Sequence, residues 1–216
     1  MIPDLSIYLV TDSTIAAAAG HDLVDLVRAA ARSGVTAVQV REKFAPAREF
    51  LDTVLRVADQ LPDDVALLVN DRVDVFLAAR AAGARVTGVH VGQSDLPVAS
   101  VRELIGPDAT LGLTVGTFEQ LRSASVNPAR IDYVGVGAIN QTTTKRDAPT
   151  PLGHQAFARL VTASKLPVVG IGGVTAEDVS LIRAAGAAGA AVVSAICSSA
   201  NPSKATQRLR VAWDAA

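Results

Sequence analysis

Short apolar runs alternate with amphipathic stretches along the whole of this 216-residue chain. The interiors of the apolar runs carry almost no polar residues, a pattern typical of strands buried on both faces of a parallel sheet. In the stretches between them, apolar residues recur at helical spacing, as Leu23, Leu26 and Val27 do. The runs predicted as strands are Ser6–Thr11, Ala37–Arg41, Ala66–Asn70, Gly88–Val91, Thr110–Thr114, Tyr133–Val136, Pro167–Ile171 and Ala190–Val193. The stretches predicted as helices include Leu23–Ser33, Ala47–Gln60, Val73–Ala81, Val98–Ile105, Glu177–Ala185 and Lys204–Trp213.

This alternation predicts the fold. Eight strand–helix units with short connections and no linker indicate one domain, a single (β/α)8 TIM barrel over residues 1–216. A doubly wound open sheet is the alternative, although no GxGxxG sequence follows the first strand. Aromatic residues make up only 4% of the chain, so the core has to be built from Val, Leu, Ile and Ala. That composition suits a parallel sheet under alanine-rich helices.

Composition and charge argue against several classes of function. A net charge of -1 without a basic run gives no basis for binding nucleic acid or an anionic membrane surface. No apolar run has membrane-spanning length, and the first residues lack the pattern of a secretory signal. The single cysteine, Cys197, cannot form an internal disulfide and is interpreted as a small buried hydrophobe. We therefore expect a cytoplasmic protein.

Three long polar side chains, Gln39, Arg41 and Lys43, stand at alternate positions around the predicted second strand. If the strand continues through them, all three lie on one face and the intervening valines lie on the other. Two buried cations would require an anion, because an unpaired buried charge is very costly. The other open interpretation is a strand end whose cations simply reach water. Glu42 would point to the opposite face, as a structural partner rather than a ligand.

Polar segments follow the carboxyl ends of the predicted strands, where TIM barrels carry their chemistry, and we interpret this end as a functional mouth. The segments are Thr11-Asp12, Arg41-Glu42-Lys43, Asn70-Asp71-Arg72, Gly92-Gln93-Ser94-Asp95, Thr114, Gly137–Lys145, Gly172-Gly173 and Ser194. Asp71 and Asp95 follow neighbouring strands, and two carboxylates there could share a Mg²⁺. Alternatively, Asp71 caps the next helix and Asp95 makes a turn. The nearby cations of the second strand favour the metal, since cations and a metal together suit a diphosphate.

A second candidate anion site follows the last two strands. Gly172-Gly173 would let backbone N–H groups approach a phosphate, and Ser194 lies beside it, in the two loops that often bind phosphate in barrels. The glycines could instead serve only a tight turn. Thr142, Thr144 and Lys145 add hydroxyls and a cation between the two anion sites.

The histidines and the common catalytic motifs narrow the chemistry. His90 lies between two valines of the fourth predicted strand and is interpreted as a satisfied structural histidine. His21 and His154 stand beside glycines near helix starts, as surface or capping residues. The sequence has no metal-binding histidine cluster, GxSxG elbow or Walker loop, so hydrolase and NTPase functions lose support.

Several segments carry, in their order and spacing, a resemblance to one family. They are Tyr8–Asp12, Gln39–Lys43, Val69–Arg72, His90–Asp95, Asp132–Gly137, Gly170–Gly173 and Val192–Ile196. Almost from end to end, the chain resembles the thiamine-phosphate synthase family of (β/α)8 enzymes. The resemblance implies a transferase that joins 4-amino-5-hydroxymethyl-2-methylpyrimidine diphosphate to 4-methyl-5-(2-hydroxyethyl)thiazole phosphate, or its carboxylated form. The implied products are thiamine phosphate and diphosphate, and the implied cofactor is Mg²⁺. The partners would be these small molecules, and a homo-oligomer stays open.

The resemblance also implies roles for individual residues. The expected ligands of the pyrimidine diphosphate are Gln39, Arg41, Lys43 and Asn70. The expected Mg²⁺ ligands are Asp71 and Asp95. The residues expected to bridge the two substrates are Thr142, Thr144 and Lys145. The expected ligands of the thiazole phosphate are Gly173, Val193 and Ser194. The expected catalytic residues are Arg41, Lys43, Lys145 and Thr114.

Two segments depart from the family pattern. Where the family usually has Ser-x-His, this chain has Thr114-Val115-Gly116, in which Thr114 keeps a hydroxyl for substrate binding. The loop that usually reads Gly-Pro-Ile-aromatic-Pro-Thr is here Gly137–Thr142, without either proline or the aromatic residue, and should be more flexible. Two alternatives therefore stay open: a thiazole-phosphate tautomerase, and a non-catalytic homologue that binds a phosphate ligand.

Overall fold

The computed structural model of the chain describes residues 2–142 and 150–216. Within them, eight parallel strands close into a barrel in chain order, which confirms the predicted TIM barrel and rules out the open sheet. The strands are β1 (Ile7–Val10), β2 (Ala37–Val40), β3 (Ala66–Asn70), β4 (Gly88–Val91), β5 (Thr110–Val115), β6 (Tyr133–Val136), β7 (Val168–Gly170) and β8 (Gly189–Val192). Each prediction of a strand is confirmed, with ends that differ by at most one residue.

The helices surround the barrel. They are α1 (Ser13–Ala18), α2 (Leu23–Ala31), α3 (Ala47–Gln60), α4 (Val73–Ala81), α5 (Val98–Ile105), α6 (Phe118–Ser125), α7 (Gly153–Ala163), α8 (Ala176–Ala184), α9 (Ser194–Cys197) and α10 (Pro202–Asp214). The predicted bounds of α3, α4 and α5 agree with the structure. Among residues 2–142 and 150–216, none of these helices combines the length and apolar character that crossing a membrane requires.

Two layers of core follow from the period of two along each strand. Outward residues such as Ile7 and Leu9 pack against the helices in the larger cluster, which also contains Cys197, as predicted. Inward residues such as Tyr8 form a smaller cluster inside the barrel. Small inward residues, Ala37 and Ala66 among them, leave room there for large side chains. The barrel is therefore a packed core, and its chemistry has to lie at one end.

Strand β2 ends at Val40, one residue before its predicted end. Of the three alternating polar residues, only Gln39 belongs to the strand, and it is buried inside the barrel. Arg41 and Lys43 lie in the connection to α3, so strand periodicity does not determine on which face their side chains lie. The Arg41 backbone N–H donates to Thr11 Oγ1 over 3.0 Å, which fixes the start of this connection against the end of β1.

Candidate functional site

The β2–α3 connection brings cations to the carboxyl end of the barrel. Arg41 is half-buried, and its guanidinium lies 3.5 Å from Asp12 Oδ2, whereas Lys43 is exposed. Glu42 accepts a hydrogen bond from Ser13 Oγ over 2.8 Å through one carboxylate oxygen, and its other oxygen is buried without a hydrogen-bond partner among the described residues. Burial is the main cause that raises the pKa of Glu42.

Asp71 directly follows β3 and is held in an unusual backbone conformation. Its φ of 59° lies in the left-handed region, which few residues other than glycine adopt without strain. Its N–H donates to the carbonyl of His90 over 2.9 Å, and Asn70 Nδ2 donates to its carboxylate over 2.5 Å. The cap of α4 is Arg72, without a side-chain capping bond. Asp71 therefore does not cap this helix, and the alternative of a capping role is wrong.

Asp95 lies beside Asp71 across the ends of β3 and β4. Its Oδ2 accepts from the Gly92 N–H over 2.6 Å, so the predicted turn is present as well. Burial, then repulsion by Asp95 and a hydrogen bond to it, raises the pKa of Asp71 to about 7, against the opposing fields of Arg41 and Lys43. The structure thus brings together two carboxylates and two cations that the sequence places far apart.

The donor set of this pair fits a hard divalent cation. Both side chains supply carboxylate oxygens, and their mutual repulsion would be relieved by a cation between them. Within the described residues, no group of three or more His, Cys, Asp or Glu side chains could hold a metal ion. Asp71 and Asp95 would therefore supply two ligands, and phosphate oxygens and water would supply the others, as is usual for Mg²⁺.

The second candidate anion site lies at the ends of β7 and β8. Gly172 and Gly173 both have positive φ, 95° and 65°. A Cβ on Gly173 would lie 2.6 Å from the carbonyl oxygen of Gln141 and 2.8 Å from Asn140 Cβ. Asn140 itself donates through its backbone N–H to the Gly172 carbonyl and through Nδ2 to the Gly173 carbonyl. The glycines thus allow a close approach between the loops that follow β6 and β7.

The remaining predicted ligands fall partly outside the described residues. Ser194 begins the short helix α9, and Val193 precedes it as its cap, at the end of β8. Thr142 is half-buried and lies in the loop after β6. Thr144 and Lys145 lie outside the described residues, so their predicted roles stay predictions.

A continuous chain of hydrogen bonds crosses the barrel interior, and sequence reasoning missed it. Gln39 Nε2 donates to Tyr8 Oη over 2.8 Å, and Tyr8 Oη bonds Tyr133 Oη over 2.8 Å. Tyr133 Oη bonds His90 Nδ1 over 2.9 Å, and His90 Nε2 bonds Thr114 Oγ1 over 2.9 Å. We call these five residues the interior chain. They confirm that His90 is a satisfied histidine. One available signal was that the sequence has only two tyrosines and both lie within apolar strands.

The two other histidines make hydrogen bonds outside the interior chain, and Cys197 is buried. His21 Nε2 bonds the Ser199 carbonyl over 2.8 Å. His154 Nε2 bonds Asp178 Oδ1 over 2.7 Å. Burial raises the pKa of the Cys197 thiol to about 11, so this thiol remains protonated at neutral pH.

Comparisons with known proteins show the family of this chain. The family model described as thiamine monophosphate synthase matches residues 7–196. A thiamine-phosphate synthase of Azorhizobium caulinodans is 44% identical over 208 residues, which cover 96% of this chain and 94% of that protein. One of Corynebacterium efficiens is 42% identical over the same coverage. The structure of a thiamine phosphate pyrophosphorylase from Pyrococcus furiosus has a TM-score of 0.85 and 31% identity, covering 98% of this chain and 96% of that one. The chain therefore belongs to the thiamine monophosphate synthase family and is an enzyme of thiamine biosynthesis.

Proposed function

We propose that this enzyme couples 4-amino-5-hydroxymethyl-2-methylpyrimidine diphosphate to 4-methyl-5-(2-hydroxyethyl)thiazole phosphate, or its carboxylated form, and that it uses Mg²⁺. The observation that carries the proposal is the cluster at the mouth of the barrel, where Asp71 is within the fields of Asp95, Arg41 and Lys43. We call these four residues the mouth cluster. A carboxylate pair beside two cations suits a metal-bound diphosphate better than it suits a singly charged ligand.

The proposed chemistry begins with the departure of diphosphate. The bond between the pyrimidine methylene and the diphosphate oxygen breaks, and its electron pair leaves with the diphosphate. The resulting cation is stabilised by the electron-rich aminopyrimidine ring. The thiazole nitrogen then forms the new C–N bond, which gives thiamine phosphate. With the carboxylated acceptor, the carboxylate also has to leave as CO₂, and the electron pair of its C–C bond is returned to the ring. No proton has to be removed in these two steps, and this agrees with the lack of a general base among the predicted site residues.

The residues of the mouth cluster would assist by stabilising the leaving group. Arg41 and Lys43 would neutralise charge that develops on the departing oxygens, a contribution that is strong in a site shielded from water. Asp71 and Asp95 would hold the Mg²⁺, which supplies further charge stabilisation to the diphosphate when bound. Asn70 would bind the same substrate, and its Nδ2 already contacts the Asp71 carboxylate.

The acceptor would bind across the barrel mouth. We infer that Gly173, Val193 and Ser194 contact the thiazole phosphate, since they lie at the ends of the paired strands β7 and β8. Thr142, with Thr144 and Lys145 outside the described residues, would lie between the two substrates. The single barrel domain over residues 1–216, the cytoplasmic location and the small-molecule partners belong to the same proposal.

Incubation of the purified protein with both substrates and Mg²⁺ tests the proposal. Thiamine phosphate and diphosphate should form in equal amounts, activity should disappear with a chelator, and Mg²⁺ should restore it. Absence of product with authentic substrates would contradict the proposed coupling. Calorimetry on the same samples identifies the rival: binding without turnover would indicate the non-catalytic phosphate-binding homologue.

A further inference from the structure

The interior chain has an unusual property: its hydrogen bonds all have to point the same way. Each tyrosine hydroxyl carries one proton and lies between two partners, so it donates to one and accepts from the other. Within the described residues, neither Tyr8 nor Tyr133 has a further hydrogen-bond partner. A hydroxyl that accepted from both neighbours would leave its own buried O–H unpaired, at a cost of about 1–3 kcal/mol.

The histidine extends this rule to the far end of the chain. His90 is buried, and both of its ring nitrogens bond neutral hydroxyl groups. A buried charge without an anionic partner is very costly, so the ring is neutral and carries one N–H. With Gln39 Nε2 donating to Tyr8, each hydroxyl donates onward and Tyr133 donates to His90 Nδ1. The proton of His90 is then on Nε2 and is donated to Thr114 Oγ1. Rotating the Gln39 amide by half a turn reverses all four bonds and moves this proton to Nδ1.

The barrel is shaped to hold this chain. His90 of β4 and Tyr133 of β6 both pair in register with Gly112 of β5, which stands between them. A Cβ on Gly112 would overlap Tyr133 and His90 at the point where they meet. Gly135 likewise leaves room, since its Cβ would lie 3.1 Å from His90 Cε1. Strands β5 and β6 thus each have a glycine where the interior chain passes, and a larger residue would contact its side chains.

We propose that Tyr8, Tyr133 and His90 are positioning residues that make the hydrogen-bonding direction of Gln39 and that of Thr114 depend on each other. When Gln39 offers its Oε1 to a ligand as an acceptor, Thr114 offers its O–H as a donor. When the Gln39 amide turns, both ends exchange roles. The matching ligand is a polar ring that donates to one end and accepts from the other, as an aminopyrimidine can. The assignment of this ligand rests on the proposed function, whereas the coupling itself does not.

The position of the His90 proton in the ligand-free protein tests the coupling, and two-bond ¹H–¹⁵N correlation spectra report it directly. The Gln39→Glu variant, studied at pH 8, replaces a donor by a carboxylate that can only accept. We expect the His90 proton to move from Nε2 in the unmodified protein to Nδ1 in this variant. The expected change is nearly complete, because a single reversed bond forces the other three to reverse.

Two controls separate the coupling from a field effect. In the Tyr8→Phe background the link is broken, so Gln39→Glu should no longer move the proton. The Gln93→Glu variant adds the same charge at the Gln93 side chain, which donates to the Thr114 carbonyl outside the chain, and should leave the proton on Nε2. If loss of near-ultraviolet dichroism shows that the Tyr8→Phe double variant does not fold, Tyr133→Phe breaks the next link in its place.

An unchanged proton position in Gln39→Glu would overturn the proposal, and so would a shift that survives in the broken-chain background. The measurement needs no substrate. Its failure is therefore distinguishable from a failure of the proposed function, which the product assay decides.

Discussion

The mouth cluster and the interior chain meet at β4, where the Asp71 N–H donates to the His90 carbonyl. They differ in whether neighbouring side chains provide partners for their polar groups. In the interior chain, neighbouring side chains satisfy both tyrosine hydroxyls and both ring nitrogens of His90, and these groups are neutral at neutral pH. In the mouth cluster, Asp71 lies against a second carboxylate, and burial with this repulsion raises its pKa to about 7. Between its two ends the interior chain therefore needs no ligand, whereas a bound metal cation would offset the repulsion within the carboxylate pair of the mouth cluster.

The difference contrasts a region whose buried groups stabilise the fold with a region whose charges suit a bound ligand. A satisfied buried network stabilises and orders the fold, and a like-charged pair destabilises it until a ligand arrives. Substitutions in the two regions should therefore have opposite effects on stability, and this contrast can be tested.

The largest effect is expected for Asp71→Asn, which should abolish Mg²⁺-dependent turnover while it stabilises the free protein. Loss of a metal ligand should lower kcat by at least about a hundredfold, since metal ions supply several kcal/mol of transition-state stabilisation. Asparagine keeps the shape and tolerates the left-handed φ of 59°. The measurements are steady-state kinetics and thermal melting as functions of pH and Mg²⁺.

The pKa of Asp71 sets the direction in which the Asp71→Asn substitution should change stability. The folded-state pKa of Asp71 is raised from 3.8 to about 7, so its contribution to stability is lost as the pH rises through this range. Near pH 8 the variant should therefore melt at a higher temperature than the unmodified protein. Mg²⁺ should reduce this difference in melting temperature, because it should bind and stabilise only the unmodified protein. Asp63→Asn, an exposed substitution, is the matched control. Unchanged kinetics in Asp71→Asn would remove this residue from the metal site.

The two regions also differ in how well the sequence predicts them. The positions of Asp71 and Asp95 follow from strand boundaries and from the rule that parallel strands end together at one face of a barrel. The Tyr8–Tyr133 bond joins residues 125 positions apart, and it depends on register around the closed barrel. Strand periodicity indicates that both tyrosines point inward, but it cannot indicate which strands they meet across the interior.

Local backbone geometry was equally beyond the sequence. The alternation of Gln39, Arg41 and Lys43 is compatible with a longer strand, and only tertiary contacts end β2 at Val40. The bond from the Arg41 N–H to Thr11 Oγ1 is one such contact. The helices α3 and α4, by contrast, were predicted with their bounds because their periodicity and flanking residues are local.

The next largest effect is expected for Gly112→Ala in the interior chain. The added methyl group overlaps the rings of Tyr133 and His90, and neither ring can move without breaking a buried hydrogen bond. Overpacking of this kind should lower the free energy of unfolding by about 1–3 kcal/mol, measured by urea denaturation. In Gly116→Ala, the new Cβ would lie 3.7 Å from Gln120 Oε1, an ordinary contact, and stability should change by less than about 0.5 kcal/mol. Equal effects of the two substitutions would show that the interior is not shaped around the chain.

A smaller effect is expected at high pH. Burial raises the pKa of Tyr8 from 10.0 to about 12. Because the folded-state value is the higher one, the unfolded chain releases its proton first, and stability falls as the pH rises from 10 to 12. At pH 11 this loss should be about 1.4 kcal/mol for Tyr8 alone. Tyr8→Phe should reduce the loss of stability between pH 9 and pH 11, as measured by urea denaturation, and an equal loss in both proteins would contradict a buried, neutral Tyr8.

The smallest effect is expected for Thr114→Ser, at one end of the interior chain. Serine keeps the hydroxyl that bonds His90 Nε2 over 2.9 Å and removes only a methyl group from a half-buried position. The equilibrium constant of unfolding and kcat should therefore each change by less than about threefold, which corresponds to less than about 1 kcal/mol. Thr114→Val has nearly the same shape as threonine but leaves the His90 ring without this partner, and it should lower stability by about 1–3 kcal/mol. If valine were tolerated as well as serine, the hydroxyl would be dispensable, and the interior chain would end at His90 rather than at the mouth of the barrel.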